Sequence, residues 1–373
     1  MRIALVVPGG VDRSGEYRII PALLSLIGRL AAHHDVQVFA LHQERSAGEW
    51  DLAGARIRNI GDGSTLLRAA CMIRSVHRSK PFDLVHSIWS GSGGLIAVAS
   101  ARFLGIPSLV HIGGGELAAI PDIGYGGRLT WAGRVREAVV LPRANAVTAA
   151  SAPVIEMLSI LGIAAHRIPL GVDLAAWPPR DPERRESGRP ARLIHVASLN
   201  RVKDQSTLLR ALASLVQSGV EFEMSIIGED TLKGEIQALA ARLGLSERVR
   251  FLGFLTQRSL RAHVESADLM ILSSRHETGP LAMLEAAVAG VPTVGTDVGH
   301  VSEWSPDAAV AVPVADSARL AEAIARVIAD EDLRLRIARE ALRRATLEDA
   351  DYTAHCFQTL YATLLSRSHR RRG

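Results

Sequence analysis

Glu277 and Glu285 flank a Gly279-Pro280 turn in the block Glu277-Thr278-Gly279-Pro280-Leu281-Ala282-Met283-Leu284-Glu285, which runs on to Gly290-Val291-Pro292. The apolar run Leu269–Leu272 and a Ser/Arg/His loop precede the block, and an alanine-rich stretch forms most of it. A strand that passes through a Gly-Pro turn into a helix sets unpaired backbone N–H groups at the mouth of a sheet. Such groups bind phosphate or an anionic sugar oxygen without side-chain help. Carboxylates beside them suit the gripping of hydroxyls, because an ionised Glu only accepts hydrogen bonds. The two glutamates lie about two helical turns apart, so both can face one cleft. Taken alone, Glu277 reads as a helix cap and Glu285 as a solvated helix residue; the block as a unit argues for a ligand site.

Other polar residues stand where apolar runs end. Pro8-Gly9-Gly10-Val11-Asp12-Arg13-Ser14-Gly15-Glu16 follows Ile3–Val7 and is rich enough in glycine to approach a phosphate closely. It is no Walker loop, since Glu16 stands where Lys is required, and it lacks the dinucleotide Gly-x-Gly-x-x-Gly spacing. His86 and His111 close two apolar runs, and Gly113-Gly114-Gly115-Glu116 follows the second. Lysine is scarce: Lys80, Lys203 and Lys233 are the only three among 43 basic residues. Lys203 lies in Ala197-Ser198-Leu199-Asn200-Arg201-Val202-Lys203-Asp204, again just after an apolar run.

The elements that must position these residues alternate. In the first half, Ile3–Val7, Val36–Ala40, Leu84–His86, Ser108–His111 and Ala146–Ala149 read as parallel strands covered on both faces. Helical stretches such as Pro21–Leu30 and Gly94–Leu104 separate them. In the second half, Leu193–Ala197, Glu223–Ile227, Val249–Leu252, Leu269–Leu272, Thr293–Thr296 and Val310–Val312 repeat the pattern, with helices at Ser206–Gln217 and Glu235–Leu243. Between them, residues 177–190 are rich in proline and charge and read as a linker. The expected fold is α/β: two doubly wound Rossmann-like domains, 1–176 and 191–349, facing a central cleft, with ligands beyond the carboxyl ends of the strands. Asp316–Arg344 is an amphipathic helical region. Residues 350–373 are expected to form a last helix that packs back on the first domain, and a basic tail from Arg367 that is expected to be disordered.

At 373 residues with 48% hydrophobic content, each half can bury its own core. Cys71 and Cys356 make neither a disulfide framework nor a zinc pattern, which fits a reducing compartment. The N-terminal apolar run is too short for a signal-peptide core, and no stretch approaches the ~20 apolar residues of a membrane helix. A cytoplasmic protein, soluble or peripheral at the inner face of the membrane, is expected. A net charge of +4 with 4% aromatics gives no nucleic-acid signature.

On the Glu277–Pro292 block the chain resembles the retaining glycosyltransferase family 4, of the two-domain fold called GT-B, whose mark is a Glu-x7-Glu motif. Three further segments are similar: Ala197–Asp204 to the family's donor-phosphate loop, Val249-Arg250-Phe251-Leu252-Gly253-Phe254 to its base-contacting strand end, and Pro169-Leu170-Gly171-Val172-Asp173 to the segment closing its first domain. The resemblance implies retaining transfer of a sugar from a nucleotide-sugar donor to a hydroxyl acceptor, as in polysaccharide biosynthesis, with no metal and no other cofactor. Lys203 would contact the donor diphosphate, and Glu285 the ribose hydroxyls. Glu277 and the backbone of Gly279, Pro280 and Leu281 would hold the sugar and the nearby phosphate; the edge of Phe251, Leu252 and Gly253 would meet the base. Gly9 and Gly10 would face the diphosphate across the cleft. The family usually has Arg where Ser198 stands. Arg201 either replaces it, which predicts at least a tenfold loss of turnover in Arg201→Ala, or is a solvated loop residue. The family also often has His-Gly at the end of the strand Leu109–His111. Either His111 is that histidine, or Gly113-Gly114 takes its place and no catalytic histidine exists. His86, at a strand's carboxyl end, either touches the acceptor or is a satisfied structural histidine, and Glu116 would lie on the acceptor side.

Arg68, Arg74, His77, Arg78 and Lys80 share one predicted helix with Leu66, Leu67, Ile73 and Val76, and no acid lies between Asp62 and Asp83. That helix reads either as a solvated face or as a contact for an anionic membrane. Rival functions are a nucleotide-sugar epimerase or hydrolase of the same fold, a non-catalytic two-domain binding protein, and a metal-dependent transferase. The last needs an Asp-x-Asp at a strand end in the first half, and Asp349-Ala350-Asp351 is at the wrong end of the chain.

Overall fold

The computed structural model describes residues 1–63, 65–186 and 188–370. It divides into two compact units, Met1–Gly171 with Ala350–Gly373, and Val172–Asp349.

The first unit holds an eight-stranded sheet: β1 (Arg2–Val7), β2 (Asp35–Ala40), β3 (Gly48–Leu52), β4 (Ala55–Asn59), β5 (Leu84–Ile88), β6 (Ser108–Ile112), β7 (Ala146–Ala149) and β8 (His166–Arg167), in the order β3-β4-β2-β1-β5-β6-β7-β8. All neighbours pair in parallel except β3 with β4. The central strands are buried along almost their whole length, as near-continuous apolar runs require in a sheet covered on both faces. The helix Ala350–Arg370 belongs to this unit. It gives Phe357, Tyr361 and Leu364 to the core around Leu5, Leu23 and Leu109, and Arg29 pairs with Asp351 at 2.5 Å. The tail expected to be disordered starts as helix, because Arg367 and Ser368 continue this element; residues 371–373 lie outside the described residues.

The second unit has six strands, all parallel: β9 (Ala191–Val196), β10 (Phe222–Ile227), β11 (Val249–Gly253), β12 (Leu269–Leu272), β13 (Thr293–Thr296) and β14 (Val310–Val312), in the order β11-β10-β9-β12-β13-β14. This is the doubly wound order, in which the chain starts centrally, winds outward one way, then returns and winds the other way. The reversal falls between β9 and β12, which are hydrogen-bonded neighbours. Asp204, Asp316 and Asp330 each cap a helix by accepting from an N–H three residues on. Asp330 thereby splits the region read as one amphipathic stretch into Ser317–Ala329 and Glu331–Leu347.

Residues 177–190, expected to link the domains, are part of the second unit. Trp177 is buried in its core, Arg180 N–H donates to Val288 O at 2.9 Å, and Arg189 grips Asp268 with two bonds of 2.7 Å. Ion pairs and backbone bonds tie the segment down, which no hydrophobic period would reveal; Ser187 lies outside the described residues. Among the described residues, no helix is long and apolar enough to cross a membrane.

Candidate functional site

The loops that follow β9 and β12 meet where the winding reverses. After β9 the chain turns through Asn200, whose carbonyl and Oδ1 both accept from the Lys203 N–H at 3.2 and 3.1 Å. Asp204 then adopts a positive φ and caps the helix Gln205–Gln217. After β12, Ser273 Oγ donates to Lys203 O at 2.8 Å and Arg275 N–H to Val202 O at 2.7 Å, which binds one loop to the other. Lys203 and Glu277, 74 positions apart in sequence, thus form an ion pair of 2.5 Å. Ser274 Oγ donates to the same carboxylate oxygen at 2.6 Å, and Thr296 Oγ1 fixes the loop by donating to Ser274 O at 2.6 Å. The Lys203 and Glu277 side chains are 25% and 12% exposed: shielded, yet reachable. Gly299 packs on the Glu277 backbone at φ +53°, where a Cβ would stand 3.1 Å from Glu277 O, so this close approach needs glycine.

The Gly279-Pro280 turn leads into the helix Leu281–Val288, capped at Pro280. The Met283 N–H closes its first turn on Pro280 O at 3.1 Å, and the N–H groups of Leu281 and Ala282 begin the helix, where no carbonyl of the helix can accept them. Glu285, one step further inside, is buried. It accepts from Gln257 Nε2 at 3.1 Å, and Gln257 Oε1 accepts from Trp177 Nε1 at 2.8 Å. Burial pushes the Glu285 carboxyl up to about 8, against the Gln257 hydrogen bond, so it carries a proton at neutral pH. Phe251, Leu252 and Gly253 end β11 with a bulge: Ile226 pairs with Phe251 but Ile227 with Gly253, which has φ +68°. Gly253 O accepts from Gly228 N–H at 2.8 Å.

The structure does not bring Arg201 to this cluster. Its guanidinium makes two bonds of 2.7 Å to Glu235, on the surface. Ser198 is exposed, with its carbonyl held by Gln205 Nε2 at 3.1 Å.

In the first unit, Gly10 sits at φ +82° against Ile20, within a loop closed by a Val11–Ile19 bridge and by Gln43 Oε1, which accepts from Val11 N–H at 2.9 Å. Glu116 is held by backbone amides: Ser90 N–H at 3.0 Å, Gly113 N–H at 3.4 Å and Gly114 N–H at 2.6 Å. Burial raises its pKa while these N–H groups pull it down. His86 and His111 are both fully buried, which agrees with a structural role for His86 and with the reading that leaves His111 out of the chemistry. His86 Nδ1 is bonded to Tyr361 Oη at 2.7 Å and His111 Nδ1 to Thr148 Oγ1 at 2.9 Å. Both rings rest on Phe357, at 4.8 and 5.7 Å between centroids. Burial depresses His111 to about 3 and lowers His86 well below its ordinary value, the His111 charge adding to the effect.

Sequence spacing missed Ser274, Gln257, Thr296 and Gly299. Of these, only Ser274, three residues before Glu277, had a local signal. Among the described residues, no group of three or more His, Cys, Asp or Glu is placed to hold a metal ion.

Comparison with known proteins accounts for both halves. The family model described as glycosyl transferases group 1 matches residues 180–344, and that of the glycosyl transferase 4-like domain matches residues 19–171. D-inositol 3-phosphate glycosyltransferase 1 of Catenulispora acidiphila is 30% identical over 294 residues, 72% of this chain and 68% of that protein. Glycogen synthase of Mycobacterium tuberculosis is 27% identical over 325 residues, 85% of this chain and 75% of that one. In other curated relatives the chain spans a smaller share, such as 52% of a D-inositol 3-phosphate glycosyltransferase of Corynebacterium jeikeium. In fold, the chain is similar to sucrose-phosphate synthase of Thermosynechococcus elongatus, with a TM-score of 0.81 and 18% identity over 98% of this chain and all of that one. Anabaena HepE, solved with UDP and glucose, gives 0.74 and 18% over 97% of this chain and all of that one. With each half matched by its own model and a relative at this identity, the chain belongs to the family 4-like glycosyltransferases of the GT-B fold.

Proposed function

We propose that this chain transfers a sugar from a nucleoside-diphosphate sugar to a hydroxyl acceptor with retention of anomeric configuration, and that Lys203 rather than a metal stabilises the departing diphosphate. The observation that carries the reading is the Lys203–Glu277 pair at the winding reversal, where open α/β sheets bind their ligands. Without a ligand the ammonium and the carboxylate neutralise each other. An arriving diphosphate draws the ammonium away, and Glu277, still held by Ser274, is freed to accept a hydrogen bond from a sugar hydroxyl. Donor binding thus exchanges one ion pair for two useful contacts at the reacting end.

In the reaction the bond between the anomeric carbon and the diphosphate oxygen breaks, and the acceptor oxygen bonds to that carbon on the same face. Negative charge grows on the leaving oxygens, where Lys203 and the first amides of Leu281–Val288 stabilise it. His111 is fully buried and a poor proton acceptor, its pKa depressed by burial to about 3, so the acceptor proton is assigned to the departing phosphate oxygen. Glu285 is assigned to the ribose hydroxyls: as a neutral acid it both donates and accepts. The bulged end of β11 is assigned to the base.

A thermal-shift screen against UDP, GDP and ADP sugars identifies the donor, since a ligand at 100 times its Kd adds about 2.7 kcal/mol. Slow donor hydrolysis, followed by NMR with EDTA present, then reads the anomer first released. Retention that is insensitive to EDTA is expected. An inverted first product, or activity abolished by EDTA, overturns the reading, and a 2-epimer or glycal product assigns the fold to an epimerase.

A further inference from the structure

Two helices of the first unit, Thr65–Ser79 and Ser92–Leu104, border a shallow groove of about 250 Å3. Leu67, Cys71 and Arg74 line it from one side, Ala99 and Phe103 from the other. Leu67 and Phe103 are 73% and 65% exposed, and Leu66 beside them is 45% exposed. This is a large apolar outlay on one surface. The Arg74 guanidinium lies 4.6 Å from the centre of the Phe103 ring, so cation and aromatic project together.

The charge around the groove has one sign. Neither helix carries a carboxylate, and Arg68, Arg74, Arg78 and Arg102 are exposed. The rim consists of arginines, not of every basic residue in the stretch. His77 Nδ1 accepts the Phe82 N–H at 3.0 Å, and burial with the nearby Arg2 charge lowers its pKa. Lys80 is paired with Asp35 at 2.7 Å. Of the acids nearest the ends, Asp83 accepts from the Arg2 backbone N–H, and Asp62 precedes the first helix, 3.9 Å from His42. Past the end of Ser92–Leu104, a second concavity of about 300 Å3 continues the cationic surface with Arg102, Arg143 and Arg367, and no acid lines it.

We propose that this face docks the protein on an anionic phospholipid surface, with Phe103, Leu67 and Leu66 entering the headgroup–acyl boundary and the arginines on lipid phosphates. An acidic protein would satisfy the arginines, but exposed Leu66, Leu67 and Phe103 share this surface with Arg68, Arg74 and Arg78 on one helix and Arg102 on the other, and apolar side chains among cations suit an interfacial face. Single-stranded nucleic acid calls for a series of stacking aromatics, and Phe103 is the one exposed aromatic on these two helices. Arginine stems can lie along the apolar surface while their heads stay at the phosphates. Docking here is independent of the donor chemistry proposed above.

The test is flotation of the full chain with phosphatidylglycerol-containing vesicles and with pure phosphatidylcholine vesicles, at low and high salt. Binding to the anionic vesicles alone, released by salt, is expected. Leu67→Ser with Phe103→Ser should weaken it by about tenfold or more, and Arg74→Glu with Arg78→Glu by at least as much. All four positions are exposed, so melting temperature and donor turnover should stay at wild-type values. Equal binding to both vesicle types, variants that bind like wild type, or a dimer that Phe103→Ser dissociates in a chain that ignores vesicles would each overturn the proposal.

Discussion

The first unit sets His86 and His111 inside β5 and β6, while the second sets Lys203, Ser274 and Glu277 in the loops after β9 and β12. His86, His111 and Lys203 read from sequence as polar residues at the ends of apolar runs and Glu277 as one just beyond such an end, and a few positions of difference separate their fates. A side chain within a central parallel strand faces a covering layer. For His86 and His111 that layer is the C-terminal helix, which lays Phe357 against both rings. A side chain in the loop beyond the strand meets the neighbouring loop and water instead. His195, within β9, shows that the rule does not depend on the unit: it too is fully buried, bonded to Ile271 O at 2.9 Å, and depressed by burial to about 4. Position relative to the last strand residue, more than residue type, divides site from core.

Lys203→Ala probes the open side of this comparison and should have the largest effect. Removing one preorganised donor from a growing charge costs roughly 10²–10³ in turnover. The fold should hardly respond, because the pair is partly exposed and Glu277 keeps Ser274. Steady-state kinetics beside thermal melting separates the two effects. Melting that collapses while turnover per folded molecule persists would make the pair structural.

Phe357→Ala probes the covered side. Truncating a buried phenylalanine costs about 3–5 kcal/mol, which should lower the melting of the first unit by roughly 6–20 °C. Turnover of the molecules that remain folded should stay within about twofold. A hundredfold loss with melting unchanged would bring His86 and His111 back towards the chemistry.

The strands were legible because parallel strands are continuous apolar runs, and those of the second unit fall within three residues of the observed bounds. The antiparallel pair β3–β4 was not. Glu49, Asp51, Arg56 and Arg58 alternate there with apolar residues and pair across the strands, Arg56 with both Glu49 and Asp51. The turn uses Ala53 and Gly54, both at positive φ, with no Asn-Gly or Asp-Gly to announce it. In the site, Glu277 and Lys203 were legible as types in loops, but their pairing depends on β9 lying beside β12, a long-range fact of topology. Gln257 gave no sign at all: it reaches Glu285 from another helix, 28 residues away.

Titration sharpens the contrast. The histidines bind protons more weakly folded than unfolded, so their stabilising share is present above about 6.5 and is lost as pH falls through the acid range. Glu285 runs the other way. Its folded pKa of about 8 exceeds the ordinary 4.5, so its share is full below 4.5 and is lost as pH rises through 8. Glu285→Gln should therefore abolish the alkaline loss, with a gain on the order of 1–3 kcal/mol at high pH and none near pH 4. Melting curves across pH check it, and the same alkaline slope in both proteins would refute a buried, proton-bearing Glu285.

Arg201→Ala should do least, and the reason is geometric. If Arg201 stood in for the arginine that Ser198 lacks, its removal would cost at least tenfold in turnover. Its guanidinium is instead committed to both oxygens of Glu235, with its side chain 54% exposed. An exposed pair of this kind is worth about 0.2–1 kcal/mol, and nothing in it touches Lys203 or Glu277. Turnover should stay within about twofold, and Glu235→Ala should match it. If Arg201→Ala lost tenfold while Glu235→Ala gained, the guanidinium would be leaving Glu235 for the diphosphate, and the surface pair would be the resting position of a donor ligand.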